Sequence, residues 1–300
     1  MKNILRKFNF AFFIFHILIL TNFINAQTEE FTFVFATDIH IQKERNGDKG
    51  FKKAIEEINK LNPDFVVTGG DLVMDALGVS YNRADSLFNL YMETCKELNM
   101  PIYNTIGNHD ILGWYEKSNI AKTHPEFGKK MFQNRIGKTY YSFVHKGVKF
   151  IILDSIEEVP EGNGYFGFIN NEQLEWLKTE IASIDKAMPI IISTHIPLYT
   201  MYSQMAIGSM AANDRGLVVE NSKSVLDLLK DHNLKLILQG HLHAYENLNL
   251  MDRFNIITGG AVCGRWWLGP NERMEEGFLL VKVKKDKIEA KYFDYDWQIK

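Results

Sequence analysis

Short runs of aliphatic, β-branched and aromatic residues recur along the chain, with polar clusters between them. Four segments carry apolar residues at the three-to-four spacing of an amphipathic helix, at about 49–60, 82–98, 172–184 and 220–231. Strands that alternate with helices in this way predict an α/β protein. The runs with the length and composition of β-strands are 31–37, 64–68, 102–106, 140–144, 149–153, 189–194, 234–238, 254–258 and 277–283.

Two stretches predict antiparallel strand pairs within this α/β pattern. One hairpin should turn at Lys146 and Gly147, and another near Lys285 and Asp286. Parallel and antiparallel strands together predict two mixed β-sheets, packed on each other with helices outside. The sequence shows no internal repeat and no Pro/Gly-rich linker after residue 26, so we expect a single domain over residues 27–300.

One long segment, residues 197–220, has no clear period. It contains Met201, Met205 and Met210. A long loop inside a compact domain is typical of a lid or a binding loop. A poorly patterned helix that packs its methionines into the core is the alternative, and the sequence leaves both open.

The N-terminal segment differs from the rest. Basic residues precede an almost uncharged run from Phe8 to Ile24, and Ala26 supplies a small residue before a plausible cleavage site. This pattern predicts a signal peptide over residues 1–26, export to the periplasm or the outside, and no stable membrane span after cleavage. Since a run of roughly 17 apolar residues is also near the minimum for a bilayer span, an N-terminal membrane anchor is the alternative.

Composition and charge reduce the number of functional classes to which the protein could belong. The 46% of hydrophobic and 24% of charged residues are ordinary for a globular protein. Without residues 1–26 the chain has 31 basic residues against 37 acidic ones, and a nucleic-acid groove usually needs a basic surface, so no nucleic-acid partner is expected. Cys95 and Cys263 are too few for a disulfide scaffold and are expected to be small buried side chains.

Metal-binding residue types follow five of the predicted strands at the point where each strand ends. Ligands of open α/β sheets bind outside the carboxyl ends of the strands, so these side chains can converge. Counted without His109, they offer two carboxylates, four imidazoles and one amide oxygen, a set that suits two divalent ions such as Mn, Fe, Zn or Ni if one carboxylate bridges. The residues are Asp38, His40, Asp71, Asn108, His109, His195, His241 and His243.

Five motifs resemble, in their order, those of the calcineurin-like metallophosphoesterase family: TDIH (37–40), GGD (69–71), GNHD (107–110), TH (194–195) and GHLH (240–243). The resemblance covers essentially the whole chain after residue 26. It implies a four-layer α/β/β/α sandwich with a binuclear metal site in which Asp71 bridges. One ion would be held by Asp38, His40, Asp71 and His243, and the other by Asp71, Asn108, His195 and His241.

His109 is not a ligand in the family pattern, which makes it the candidate catalytic residue. Two metal ions can clamp a phosphoryl group and acidify a shared water, giving a hydroxide nucleophile. A protonated imidazole beside the leaving oxygen can then act as general acid. Asp110 or Asp75 could accept a ring N–H of His109, and the sequence does not choose between them.

Differences between this sequence and other groups of the family reduce the range of expected substrates. The segment GGDLVMDALG lacks the arginine typical of protein Ser/Thr phosphatases, and the chain lacks the ligand tyrosine of purple acid phosphatases. The remaining resemblance predicts an exported metal-dependent phosphodiesterase acting on a small phosphoester. The alternatives are a phosphomonoesterase or a pyrophosphate-bond hydrolase acting on nucleotide, sugar or lipid headgroup substrates, and, in a different class, a non-catalytic metal-binding scaffold.

The segment GGAVCGRWWLGP, residues 259–270, supplies candidate substrate contacts. Trp266 and Trp267 could form an apolar wall beside the metals, and Arg265 could reach a phosphate or sugar oxygen. The alternative places one tryptophan in the core and the arginine on the surface.

Overall fold

The computed structural model describes residues 29–271, 274–285 and 287–298. Its α-helices are α1 (Gly47–Leu61), α2 (Tyr81–Cys95), α3 (Lys130–Arg135), α4 (Asn171–Ala182), α5 (Tyr202–Ala206) and α6 (Ser222–Leu229). Its strands are β1 (Phe31–Ala36), β2 (Phe65–Thr68), β3 (Ile102–Tyr103), β4 (Tyr141–His145), β5 (Val148–Ile152), β6 (Ile156–Glu158), β7 (Tyr165–Gly167), β8 (Ile190–Ser193), β9 (Leu234–Gln239), β10 (Tyr245–Leu250), β11 (Phe254–Gly259), β12 (Phe278–Lys284) and β13 (Lys287–Phe293).

The strands form two mixed sheets, and β6 and β7 make a separate hairpin. One sheet has the order β13-β12-β1-β2-β3, and the other has the order β10-β11-β9-β8-β5-β4. Parallel pairs such as β1–β2 and β8–β9 lie in the interior of the sheets, while the antiparallel pairs β12–β13, β10–β11 and β4–β5 lie at their edges. The predicted α/β class with two mixed sheets is confirmed.

The alternation of side chains in β1 explains the layers. Phe33 points to one face of its sheet, where its ring lies 5.3 Å from the ring of Phe150 in the other sheet. Val34 points to the opposite face and belongs to a second buried cluster that includes Phe51 and Ile55 of α1. The two sheets therefore pack on each other, with helices on their outer faces.

Local sequence signals fix several element ends. The side chain of Ser80 accepts a hydrogen bond from the Arg83 N–H at the start of α2, and Asn170 does the same for the Gln173 N–H at the start of α4. The predicted hairpin at Lys146 is confirmed, because β4 and β5 pair on either side of this turn. The second predicted hairpin is also confirmed by the pairing of β12 with β13.

Some elements differ from the sequence prediction. The strand expected over 102–106 ends at Tyr103, after which the chain leaves the sheet toward the candidate ligands. Strand β10 was not predicted, because an edge strand with alternating exposed residues has no apolar run. Within 197–220 only the short α5 forms a helix, and Met205 and Met210 are 79% and 96% exposed, so the core-packed helix is wrong.

The predicted signal peptide, residues 1–26, lies outside the described residues. Within the described ranges, none of the helices has the length and apolar character needed to cross a membrane. Cys263 is buried and Cys95 half-buried, and both are free thiols.

Candidate metal centre

The seven candidate ligands lie together at the carboxyl ends of five strands. In the first half of the cluster, His243 Nε2 lies 3.3 Å from Asp38 Oδ1 and 3.1 Å from His40 Nε2. These three side chains come from the loops after β1 and β9. Their ligand atoms thus meet although about two hundred residues separate His243 from Asp38 and His40 in the chain.

The second half of the cluster is built around His195. Its Nε2 lies 3.0 Å from Asn108 Oδ1 and 3.3 Å from His241 Nδ1. Asp71 lies between the halves, because its Oδ2 is 3.4 Å from His40 Nε2 and 3.2 Å from His195 Nε2. This is the position that a bridging carboxylate needs.

Each of the four candidate-ligand imidazoles forms a hydrogen bond with a backbone carbonyl through the ring nitrogen that faces away from the cluster. A carbonyl can only accept, so in the neutral ring the nitrogen that faces it carries the proton and the other nitrogen turns a lone pair toward the cluster. Two such lone pairs facing each other at 3.1 Å, as in His40 and His243, share no proton, whereas a cation between them would satisfy both. The donor set therefore fits divalent metal ions. The pairs are His40 Nδ1 with Met74 O (3.4 Å), His195 Nδ1 with Gly69 O (2.7 Å), His241 Nε2 with Gly216 O (2.9 Å) and His243 Nδ1 with Gly264 O (2.8 Å).

Five of the seven candidate ligands have a left-handed backbone. Such a conformation costs a non-glycine residue about 1–3 kcal/mol and persists only where the surroundings impose it. Here the Asp38 N–H donates to Gly70 O and the His40 N–H donates to Asp71 O, which ties the loops after β1 and β2 together. Strain concentrated on these residues indicates a functional site. The five residues are Asp38, His40, Asp71, His241 and His243, with φ between 46° and 74°.

Electrostatics keep the Asp71 carboxylate charged. Burial alone would raise the pKa of Asp71, but the imidazoles of His195 and His109 hold it well below its ordinary value. Asp71 Oδ1 also accepts the backbone N–H of His109 at 2.8 Å. Gly107 makes this approach possible, because a Cβ at that position would lie 2.2 Å from the same oxygen.

His109 lies beside the cluster with its side chain 29% exposed. Its ring is 4.8 Å from that of His40, and its Nδ1 is 3.6 Å from Asp75 Oδ1, an ion-pair distance longer than a hydrogen bond. Burial lowers its pKa, but Asp71 and Asp75 together raise it above the ordinary histidine value. Of Asp75 and Asp110, which the sequence left open, Asp75 is therefore the one beside the ring, and the protonated imidazole is favoured.

Asp110 has a different place. It is fully buried, and its Oδ1 accepts the N–H groups of Leu72 and Val73 at 2.8 and 3.1 Å, while its Oδ2 accepts the Gly107 N–H at 2.8 Å. It thus joins the loop after β2 to the loop that carries Asn108. Its carboxylate holds the backbone rather than the His109 ring.

We expect Asp110→Asn to lower the free energy of unfolding by about 1–3 kcal/mol, because an amide nitrogen would face a backbone N–H that now has an acceptor. In a domain of this size each kcal/mol corresponds to roughly 2–4 °C in Tm, which thermal unfolding would detect. Asp227→Asn, on the surface of α6 where Asp227 pairs with Lys223, is the matched control. Equal Tm values for the two variants would contradict the role given to Asp110.

The candidate substrate contacts differ in position. The Trp266 ring lies 4.5 Å from the His243 ring, so this side chain borders the cluster. Trp267 is 1% exposed and its indole N–H donates to His40 O at 2.9 Å, which leaves it no surface for a substrate and makes it a support of a candidate ligand. The guanidinium of Arg265 donates to Leu268 O at 3.5 Å.

Several groups that contact the candidate ligands could not be identified from the sequence. The Thr37 hydroxyl donates to Asp38 Oδ2 at 2.6 Å, which only the TDIH motif itself could have suggested. Cys263 Sγ lies 3.8 Å from His243 Nδ1, where burial raises the pKa of the thiol and keeps it neutral. The four supporting carbonyls belong to the backbone, which no residue pattern reports.

Comparison with known proteins decides the family. The calcineurin-like phosphoesterase family matches residues 31–245. The chain belongs to this family. As a calcineurin-like phosphoesterase it is a hydrolase of phosphoric esters, and the enzyme class expected from the motifs is confirmed.

The relatives of this phosphoesterase carry different activities in their names. The human serine/threonine-protein phosphatase CPPED1 is 26% identical over 257 residues, which cover 82% of this chain and 73% of the relative. A probable cyclic nucleotide phosphodiesterase of Xenorhabdus bovienii is 22% identical, with 81% and 90% covered. A dimetal phosphatase from Danio rerio has a similar fold, with a TM-score of 0.63, 16% identity, and 88% and 96% covered.

Proposed function

We propose that this phosphoesterase is an exported phosphodiesterase that depends on two divalent metal ions. The observation that carries the proposal is the convergence of four carbonyl-backed imidazoles around Asp71, with His109 left beside them. A non-catalytic scaffold would not need His109, a further imidazole that favours its protonated form and lies beside the candidate ligands. Export rests on the sequence pattern of residues 1–26.

We assign the ligands as two groups that share Asp71. Asp38, His40 and His243 would hold one ion with it, and Asn108, His195 and His241 the other. Bound ions would acidify a water to a nucleophilic hydroxide and stabilise charge on the phosphoryl oxygens. The donors are nitrogen and oxygen atoms, which suit Mn, Fe, Zn or Ni.

The remaining side chains position and protonate the substrate. His109 donates a proton to the leaving oxygen, and the carboxylate of Asp75 orients the ring and favours its charged form. Trp266 lies beside His243, where its ring can cover one side of a bound ester and exclude water. Of the three residues singled out in 259–270, we retain Trp266 as a substrate contact.

The test is hydrolysis by purified protein of known metal content. We expect about two equivalents of divalent metal per chain, turnover of bis(p-nitrophenyl) phosphate that exceeds turnover of p-nitrophenyl phosphate, and loss of both on chelation with recovery when metal returns. A faster monoester reaction would instead identify a phosphomonoesterase, as the name of CPPED1 suggests for that relative. Metal-loaded protein inert toward both esters would disprove the proposal.

A further inference from the structure

A cavity of about 530 Å³ opens beside the candidate metal centre. His243 lines it together with residues of α5, the first residues of β10, Tyr292 of β13, and Asn271, Met274 and Glu275 before β12. A phosphoester held at the metal ligands can therefore extend one of its substituents into this space. The substituent it accepts depends on the cavity walls.

Three tyrosine rings contribute to the wall. The rings of Tyr245 and Tyr292 lie 5.3 Å apart and are inclined by 51°, and Tyr202 also lines the cavity. The Tyr292 hydroxyl donates to Glu275 O at 2.7 Å, and burial raises the pKa of its phenol, so the ring stays neutral. Neutral aromatic faces attract cations, and quaternary ammonium groups in particular.

Among the described residues, the charged side chains of the wall are acidic. Glu246 Oε1 accepts the Met201 N–H at 2.7 Å, and its Oε2 accepts the Thr258 hydroxyl at 3.3 Å, so both of these donors are neutral. Glu275 is exposed at the rim. None of the described residues that line the cavity is Lys or Arg. A cationic group would complement these carboxylates, whereas a second anionic group would be repelled.

We propose that this cavity binds the alkylammonium substituent of a phosphoester whose phosphate lies at the metal ligands. The inference rests on the proposed function for the phosphate end of the substrate. It adds a substrate class, esters that carry a positive charge beside the phosphate, and a set of specificity residues: Tyr202, Tyr245, Tyr292, Glu246 and Glu275.

The experiment compares two ligands that differ only in charge. 2-(Trimethylammonio)ethylphosphonate and 3,3-dimethylbutylphosphonate have the same shape, and their P–C bonds resist hydrolysis. Titration calorimetry with the metal-loaded, full-length protein should show the ammonium ligand binding about tenfold more tightly or better. Glu275→Gln should reduce that ratio at least about threefold, whereas Glu289→Gln, an equal loss of charge on the exposed face of β13, should leave the ratio unchanged.

Equal affinities, tighter binding of the neutral ligand, or binding of neither would overturn the inference. Turnover of bis(p-nitrophenyl) phosphate, measured on the same preparation, separates this result from the proposed function. Turnover without an ammonium preference rejects the cavity assignment alone. An ammonium preference without turnover supports the cavity assignment and rejects the phosphodiesterase.

Discussion

The Asp71→Asn variant is expected to lose about 10³-fold or more in kcat and to bind less metal. Asp71 Oδ2 lies 3.4 Å from His40 Nε2 and 3.2 Å from His195 Nε2, so its carboxylate contacts both halves of the site. A neutral amide oxygen cannot compensate the charge of two cations. Since a two-metal clamp contributes several kcal/mol to transition-state stabilisation, a loss of about 4 kcal/mol corresponds to the stated 10³-fold.

Metal analysis and steady-state kinetics on the same preparation would check this result. Asp64→Asn is the matched control, because Asp64 precedes the opposite end of β2 and pairs with Lys146 and His145 rather than with the ligands. The control should keep its metal and its rate. An Asp71→Asn protein that retained two metal ions and most of its activity would show that the bridge lies elsewhere.

Much of the site could be predicted because strand ends are visible in the sequence. Asp38 follows the apolar run of β1 and Asp71 follows that of β2, and parallel strands bring such residues to one edge of a sheet. The order of the motifs then indicated the family and, with it, the sandwich.

Other features depend on backbone conformation that no pattern reports. Trp266 and Trp267 are neighbours with φ of 49° and 63°, and their rings reach different places: one borders His243 and the other supports His40 from the core. The sequence also could not show whether Asp75 or Asp110 lies beside the His109 ring. The answer depends on which loop each carboxylate faces, and three backbone N–H groups already occupy Asp110.

His109→Ala is expected to keep both metal ions and to lose about 10²- to 10⁴-fold in kcat, the usual contribution of a general acid. His109 is not a ligand in the family pattern, and its ring lies beside His40 with Asp75 near its Nδ1, so its removal should take away a proton donor and not a ligand. His145→Ala, which breaks a histidine–carboxylate pair at the far side of the sandwich, is the control and should leave kcat unchanged.

The leaving group distinguishes a general acid from a residue that merely shapes the site. p-Nitrophenolate departs with little help from a proton, whereas the more basic phenolate needs one, so the deficit of His109→Ala should be larger for phenyl than for p-nitrophenyl diesters. An equal deficit with both esters would mean that His109 positions the substrate or the metals instead. Loss of metal from the variant would place His109 among the ligands, in the group that its ring nitrogen can form with His40 and Asp71.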